Sequence, residues 1–271
     1  PNGQGITVLM ALKILSRFDL KADDPQSIHY TAEAIKRAMT DGANYIADPD
    51  YMELTTEDLL SDAYAKKCGE AFGEKAQAMT YGNPLDRSTV YFCIGDKDGN
   101  MVSMIQSNYE GFGAGIVVPE TGISLNNRLL NFSMEEGRAN TLAGNKRPYH
   151  TIIPGFLTRG GKPYGAFGVM GGFMQPQGHV QTLLQLLAYG RNPQSALDAP
   201  RFMWTGDKRI EMEADFDPAI IQSMKDRGHE VHIPEHDLDM GRGQYLLYDE
   251  ERKIYMGGTE KRCDGTICVA E

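Results

Sequence analysis

Residues 86–92 read Asp-Arg-Ser-Thr-Val-Tyr-Phe. Thr89 heads an alternating apolar run, directly behind a stretch of turn residues, YGNPLD. A threonine hydroxyl is a weak nucleophile until a base takes its proton. If the chain is cut between Ser88 and Thr89, the new α-amine of Thr89 is that base, with a pKa near about 8 that suits neutral pH. An uncut Thr89 has no such base and reads as a β-branched residue at a strand start. Gly171-Gly172 is a second candidate. Paired glycines between a strand and a helix let backbone N–H groups approach a ligand, and the helix N-terminus adds positive dipole. Oxyanion holes are built this way, as are ordinary turns. Ser107 is the third: counting inward from the turn of the hairpin places its hydroxyl within reach of that of Thr89.

The histidines are His29, His150, His179, His229, His232 and His236. HEVHIPEH has metal-like spacing, but Pro234 prevents a helix there, and no further carboxylate or histidine is placed to close a site. No metal is expected. His179 lies in the first turn of a predicted helix and reads as structural. Arg147 precedes Pro148 at a strand start; buried, it would need a carboxylate partner, and on the surface it needs none.

These residues must be held by elements the pattern also predicts. Apolar residues at helical spacing cover 5–17. Asp24-Pro25 is a cap followed by proline at the first helical position, opening a helix to about residue 45. Thr55 or Thr56 caps a third helix to about residue 72. Then STVYFCIGD and NMVSMIQSNY form a hairpin around DKDG. GFGAGIVVPETGISLNNRL reads as short strands and glycine turns. Two strands flank RGGK, and HVQTLLQLLAYG is a helix ended by Gly190. SALDAPRF and PAIIQSMKDRG are short helices. HEVHIP, GQYLLYDE and KIYMGGT are edge or closing strands. Consecutive antiparallel strands with helices grouped before and after predict an α+β layered sandwich. No GxGxxG phosphate loop and no internal repeat occur, and no cofactor is expected.

A chain of 271 residues can bury a real core, and 41% hydrophobic with 24% charged residues is ordinary for a globular protein. The net charge of -10 argues against nucleic acid and anionic membrane surfaces. No apolar run approaches the roughly 20 residues of a membrane span. The opening residues lack the marks of a signal peptide. The four cysteines lack zinc-ribbon spacing and read as reduced thiols, which leans cytoplasmic; any signal peptide would lie ahead of Pro1.

In order, TVYFCIGDKDGNMVSMIQSNYEGFGAGIVVPETGISLNNRL, KRPYHTIIPGF, MGGFMQPQG and ALDAPRF resemble the small subunit of the γ-glutamyltranspeptidase family, from about residue 84 to the end. The helices before them resemble the last part of its large subunit. The resemblance implies an N-terminal-nucleophile hydrolase with a four-layer αββα sandwich, present here as a C-terminal fragment. The implied division is a large-subunit segment, 1–88, and a nucleophile-bearing segment, 89–271. It implies self-cleavage at Ser88–Thr89, Thr89 as nucleophile, Ser107 as its helper, and Gly171 and Gly172 as oxyanion donors. The acyl group would pass to water or an amine.

The family's γ-glutamyl-binding Asn, Gln and Asp are matched by Tyr109, Arg128 and Asn131, and its carboxylate-binding Ser-Ser by Tyr149-His150. The family often has Thr-Thr at the cut; here it is Thr89-Val90. Arg128 reverses the local preference from a cation to an anion, which argues against glutathione and for an anionic acyl group on an amide. The pattern resembles the family's divergent, cephalosporin-acylase-like branch. Family chains are about twice this long, so the missing N-terminal half is an expected partner. Without it a large apolar seam needs cover, by that half or a second copy. The competing reading is an inactive relative serving as a binding or scaffold module. A metal-dependent hydrolase using HEVHIPEH ranks last.

Overall fold

A computed structural model describes residues 2–79, 88–236 and 239–269. The turn-rich stretch YGNPLD lies outside the described residues, as does the side chain of Ser88.

The first segment is helical as its caps require. Helix α1 spans Gly5–Leu15. Helix α2 spans Pro25–Tyr45, with Asp24 accepting from Ser27 N–H and Pro25 opening the helix. The third expected helix is two: α3, Thr56–Leu59, and α4, Asp62–Glu70. Thr55 and Asp58 form a reciprocal capping box on α3, and Ser61 caps α4 through Tyr64 N–H. An internal serine therefore starts a new helix where the apolar periodicity alone reads through.

Strands β1 (Ser88–Gly95) and β2 (Met101–Tyr109) form the expected hairpin. Residues 111–127 form turns rather than strands, with only the bridge Val117↔Ser124. Positive φ at Gly111, Gly113, Gly115 and Gly122 breaks extended pairing there. A 3₁₀ turn at Arg128–Asn131 follows.

Strands β3 (Gly155–Arg159) and β4 (Lys162–Met170) flank the glycine turn of RGGK. Helix α5 runs Met174–Leu183, earlier than expected, and continues as a π-turn over Leu184–Ala188 before Gly190. Helix α6 is Pro193–Asp198. Strands β5 (Phe202–Gly206) and β6 (Arg209–Met212) form a hairpin absent from the sequence reading. Helix α7 (Pro218–Asp226) leads to β7 (Glu230–His232), parallel to β6. Strands β8 (Arg242–Asp249) and β9 (Ile254–Thr259) complete a sheet of order β3-β4-β8-β9, so β8 is interior rather than an edge.

The period-2 alternation of β4 explains the layering. Phe167 and Val169 face α5, against His179 and Gly178. Gly168 and Met170 face the β1–β2 hairpin, against Tyr91. Helices, four-stranded sheet and hairpin thus stack as α, β and β, the order of an αββα sandwich whose last layer is not among the described residues. Both segments share one core: Met10, Ile14 and Ile35 of the first pack in the same cluster as Leu197, Trp204 and Met212 of the second. The outer face of the hairpin is apolar and exposed, with Phe92 paired to Met104 and Ile94 to Val102. All four cysteines are free thiols.

Candidate functional site

The hairpin register places Thr89 at an irregularity. Ser88 pairs with Tyr109 and Val90 with Gln106, so Ser107 and Asn108 together oppose Thr89. A bulge of this kind re-aims side chains at a strand end. Ser107 Oγ accepts from Tyr109 N–H at 2.8 Å, and Asn127 brackets Glu110, accepting from its N–H at 3.0 Å.

The same end of β1 lies along the end of β4. Tyr91 N–H donates to Met170 Sδ at 3.1 Å, and Met170 immediately precedes Gly171. Gly171 (φ 132) and Gly172 (φ 55) turn the chain from β4 into α5. Their carbonyls accept from Met174 and Gln175, while neither glycine N–H has a hydrogen-bond partner among the described residues. Gly171 is itself buried, where an unpaired N–H is costly. Two unpaired donors at a turn into a helix can stabilise a developing oxyanion.

Arg128 ties these parts together. It is 6% exposed, and its guanidinium donates to Thr151 Oγ1 at 3.1 Å and to the Ser107 carbonyl at 3.3 Å. Gln4 Nε2 then bridges the Thr151 carbonyl (2.5 Å) to that of Gly172 (2.9 Å). Bulge, arginine and glycine turn are therefore one hydrogen-bonded unit, with Gln4 a linker that carries no sequence signal. Arg128 forms no ion pair among the described residues, and burial lowers its pKa, opposed only by Tyr109. Tyr109, half-buried, presents its ring 5.5 Å from Arg128 Cζ.

Asn131 lies at the end of the same 3₁₀ turn, its Nδ2 buried and without a partner among the described residues. His150 joins through its backbone, which pairs with Asn2 and Gln4. Burial and the nearby Arg128 hold its imidazole at about 4, so it is neutral at neutral pH and Arg128 carries the charge. Tyr149 does not join: its ring is buried in the main core, stacked on Phe173. Arg147 is exposed and contributes its backbone N–H to Asp48.

The sequence model of the family described as Gamma-glutamyltranspeptidase matches residues 1–270. The chain belongs to the γ-glutamyltranspeptidase family. It is 36% identical to the glutathione hydrolase-like YwrD proenzyme of Bacillus subtilis (strain 168), over 98% of this chain and 52% of that protein. It is 30% identical to the oxamate amidohydrolase proenzyme of Klebsiella pneumoniae, over 86% of this chain and 45% of that one. Its fold superimposes on the crystal structure of cephalosporin acylase from Bacillus halodurans with TM-score 0.94 and 46% identity, covering all of this chain and 50% of that one. The chain spans about half the length of the relatives it matches. The N-terminal-nucleophile hydrolase fold is thus the right one, as a part of the whole.

This γ-glutamyltranspeptidase-family chain also holds a polar cluster that sequence reasoning missed. His229 of HEVHIPEH turns inward, while His232 and His236 are exposed. His29 and Glu33, four residues apart on α2, meet it, with ligand atoms of the three within 4.8 Å of one another. The hydrogen bonds fix the ring tautomers. Gly73 O can only accept, so His29 Nε2 (3.0 Å) carries a hydrogen and Nδ1 accepts from His229 Nε2 at 2.9 Å. His229 Nδ1 then accepts from Lys36 Nζ at 3.3 Å. Lys36 has three N–H groups and three acceptors, the others being Glu33 Oε1 (2.8 Å) and Gln77 O (3.3 Å). Burial raises the Glu33 carboxyl and lowers the Lys36 ammonium, and the contact between their opposite charges opposes both shifts. The lysine already supplies the cation that a metal would bring.

Proposed function

We propose that the parent protein is an amidohydrolase or acyltransferase that matures by hydrolysis of the Ser88–Thr89 bond and acts on amides whose acyl group carries an anion. The released α-amine of Thr89 takes the proton from its own Oγ, and Oγ attacks the amide carbonyl. The oxyanion is received by the N–H groups of Gly171 and Gly172. Collapse breaks the C–N bond, the leaving amine departs with the proton, and an ester on Thr89 Oγ remains. Water or an acceptor amine then attacks that ester and restores the hydroxyl. Ser107, opposite Thr89 across the bulge, orients the nucleophile.

The observation that carries the substrate class is the buried guanidinium of Arg128, which no carboxylate neutralises among the described residues. A buried charge left unpaired is costly, and a substrate anion would relieve that cost. Asn131 and the backbone around His150 line the same region. The N-terminal half of the parent chain is the partner that covers the apolar hairpin face of Phe92, Ile94, Val102 and Met104 and supplies the outer layer. No cofactor takes part in these steps.

The test begins with intact mass and N-terminal sequencing of the full-length protein. A new N-terminus at Thr89, absent in Thr89→Ala, is expected. A chain that stays whole under all conditions would instead make this a binding or scaffold relative. For the cut enzyme, Arg128→Glu is expected to abolish turnover of amides with an anionic acyl group. Full turnover by that variant would overturn the substrate assignment.

A further inference from the structure

Tyr109 is the only aromatic residue with positive φ among the described residues, at 83°. A bulky side chain in this region is a genuine outlier that persists only where its surroundings force it. Here both neighbours are held. Tyr109 N–H donates to Ser107 Oγ at 2.8 Å, and Asn127 accepts from Glu110 N–H at 3.0 Å and donates back to its carbonyl at 3.3 Å. Asn127 N–H also bonds Asn108 O at 3.1 Å. The strained residue lies directly opposite Ser88 in the hairpin. This backbone aims the ring at the Arg128 guanidinium, with the centroid 5.5 Å from Cζ, inside the range of a cation–π contact.

Of the five N–H groups of Arg128, one goes to Thr151 Oγ1 and one to Ser107 O. The remaining three have no acceptor among the described residues, and all lie in the guanidinium plane. With Cζ over the face of the Tyr109 ring, the ring walls one side of the guanidinium, and the three remaining N–H groups are left to receive an anion.

The geometry points to Tyr109 as a specificity-determining residue: its strained backbone holds the ring as a cover over Arg128, so that the site takes a flat terminal carboxylate edge-on and rejects acyl groups that bring an ammonium. This rests on the anion-binding reading of Arg128. The ring keeps water from its side of the guanidinium and strengthens the hydrogen bonds that the remaining N–H groups make to a carboxylate. The strain is the cost of aiming the ring, which explains a tyrosine where glycine would be relaxed.

The experiment is calorimetric titration of the full-length protein with glutarate, a short dicarboxylate whose binding needs no turnover. Tyr109→Gly suits the left-handed backbone, so it should fold and melt no lower than the parent protein. It is expected to weaken glutarate binding by about tenfold or more, whereas Tyr109→Phe, which keeps the ring, stays within about twofold. With a glutaryl amide substrate, Tyr109→Gly should raise KM and leave kcat unchanged, a split that loss of packing alone would not produce. Arg128→Met separates the two ideas. If it abolishes binding while Tyr109→Gly does not change it, the cover is wrong and the anion site stands. Equal losses in Tyr109→Phe and Tyr109→Gly would put the effect in the hydroxyl and overturn the cover as well. If Arg128→Met binds like the parent protein, or the parent protein binds no glutarate, the anion site itself is wrong and the cover falls with it.

Discussion

Acid should loosen this protein through His229. Burial pushes its imidazole down to about 2, and the groups facing it push the same way: Lys36 at 3.3 Å, then His29, Arg227 and Lys208. Its Nδ1 has no room for a proton, because that nitrogen accepts from the Lys36 ammonium. The unfolded chain binds a proton at the ordinary value near 6.5 while the folded chain refuses it. More protons are bound unfolded, so the contribution is intact above about pH 6.5 and is lost progressively as pH falls toward 2. At pH 5 the linkage amounts to about 2 kcal/mol, and the slope approaches about 1.4 kcal/mol per pH unit for this one group. Glu33, whose carboxyl is raised, acts with the opposite sign, so a control must isolate the histidine. His229→Gln can still donate to His29 and accept from Lys36 but cannot take a proton. Urea unfolding of the full-length protein between pH 7.5 and 5 is expected to show a slope shallower by close to one proton in this variant. An identical slope in both proteins would refute the reasoning, since His229 would then titrate alike folded and unfolded.

Gly168→Ala places a methyl 2.6 Å from the Tyr91 ring and must push β1 off β4. A loss of about 1–3 kcal/mol in unfolding free energy is expected, with slower cutting at Thr89, two residues away, seen by intact mass. Gly172→Ala strains a left-handed position (φ 55) and re-aims a proposed oxyanion donor. Stability should fall by only about 1 kcal/mol while kcat of the cut enzyme falls about 100-fold. Phe92→Asp places a carboxylate on the exposed apolar hairpin face. Full-length protein carrying it should lose several kcal/mol of stability, about what an unpaired charge costs in a dry interface, whereas a free surface would tolerate it.

The locally encoded features were legible. Asp24, Thr55 and the turns at DKDG and RGGK act within a few residues, through one side chain or one φ angle, and the structure places each where the sequence reading does. The break at Ser61 was equally local but hidden under a continuous apolar period. The β5–β6 hairpin was passed over, although Gly206-Asp207 stands between its two short apolar runs, because the helical stretch of ALDAP reads on into Arg201 and Phe202. The interior place of β8 depends on β4 and β9 on either side of it, partners far away in the chain.

The sequence by itself determined the family and the locally capped or turned elements, because motif spacing and hydrogen bonds within a turn or hairpin are short-range. Only the tertiary structure decided which side chains share an environment. It put Tyr149 in the core and left Arg128 buried without a counter-charge among the described residues. It inserted Gln4 between Thr151 and Gly172, and it joined His29 to His229. Those outcomes come from packing between distant segments, where burial sets the cost of a charge and the shape of the core selects its neighbours.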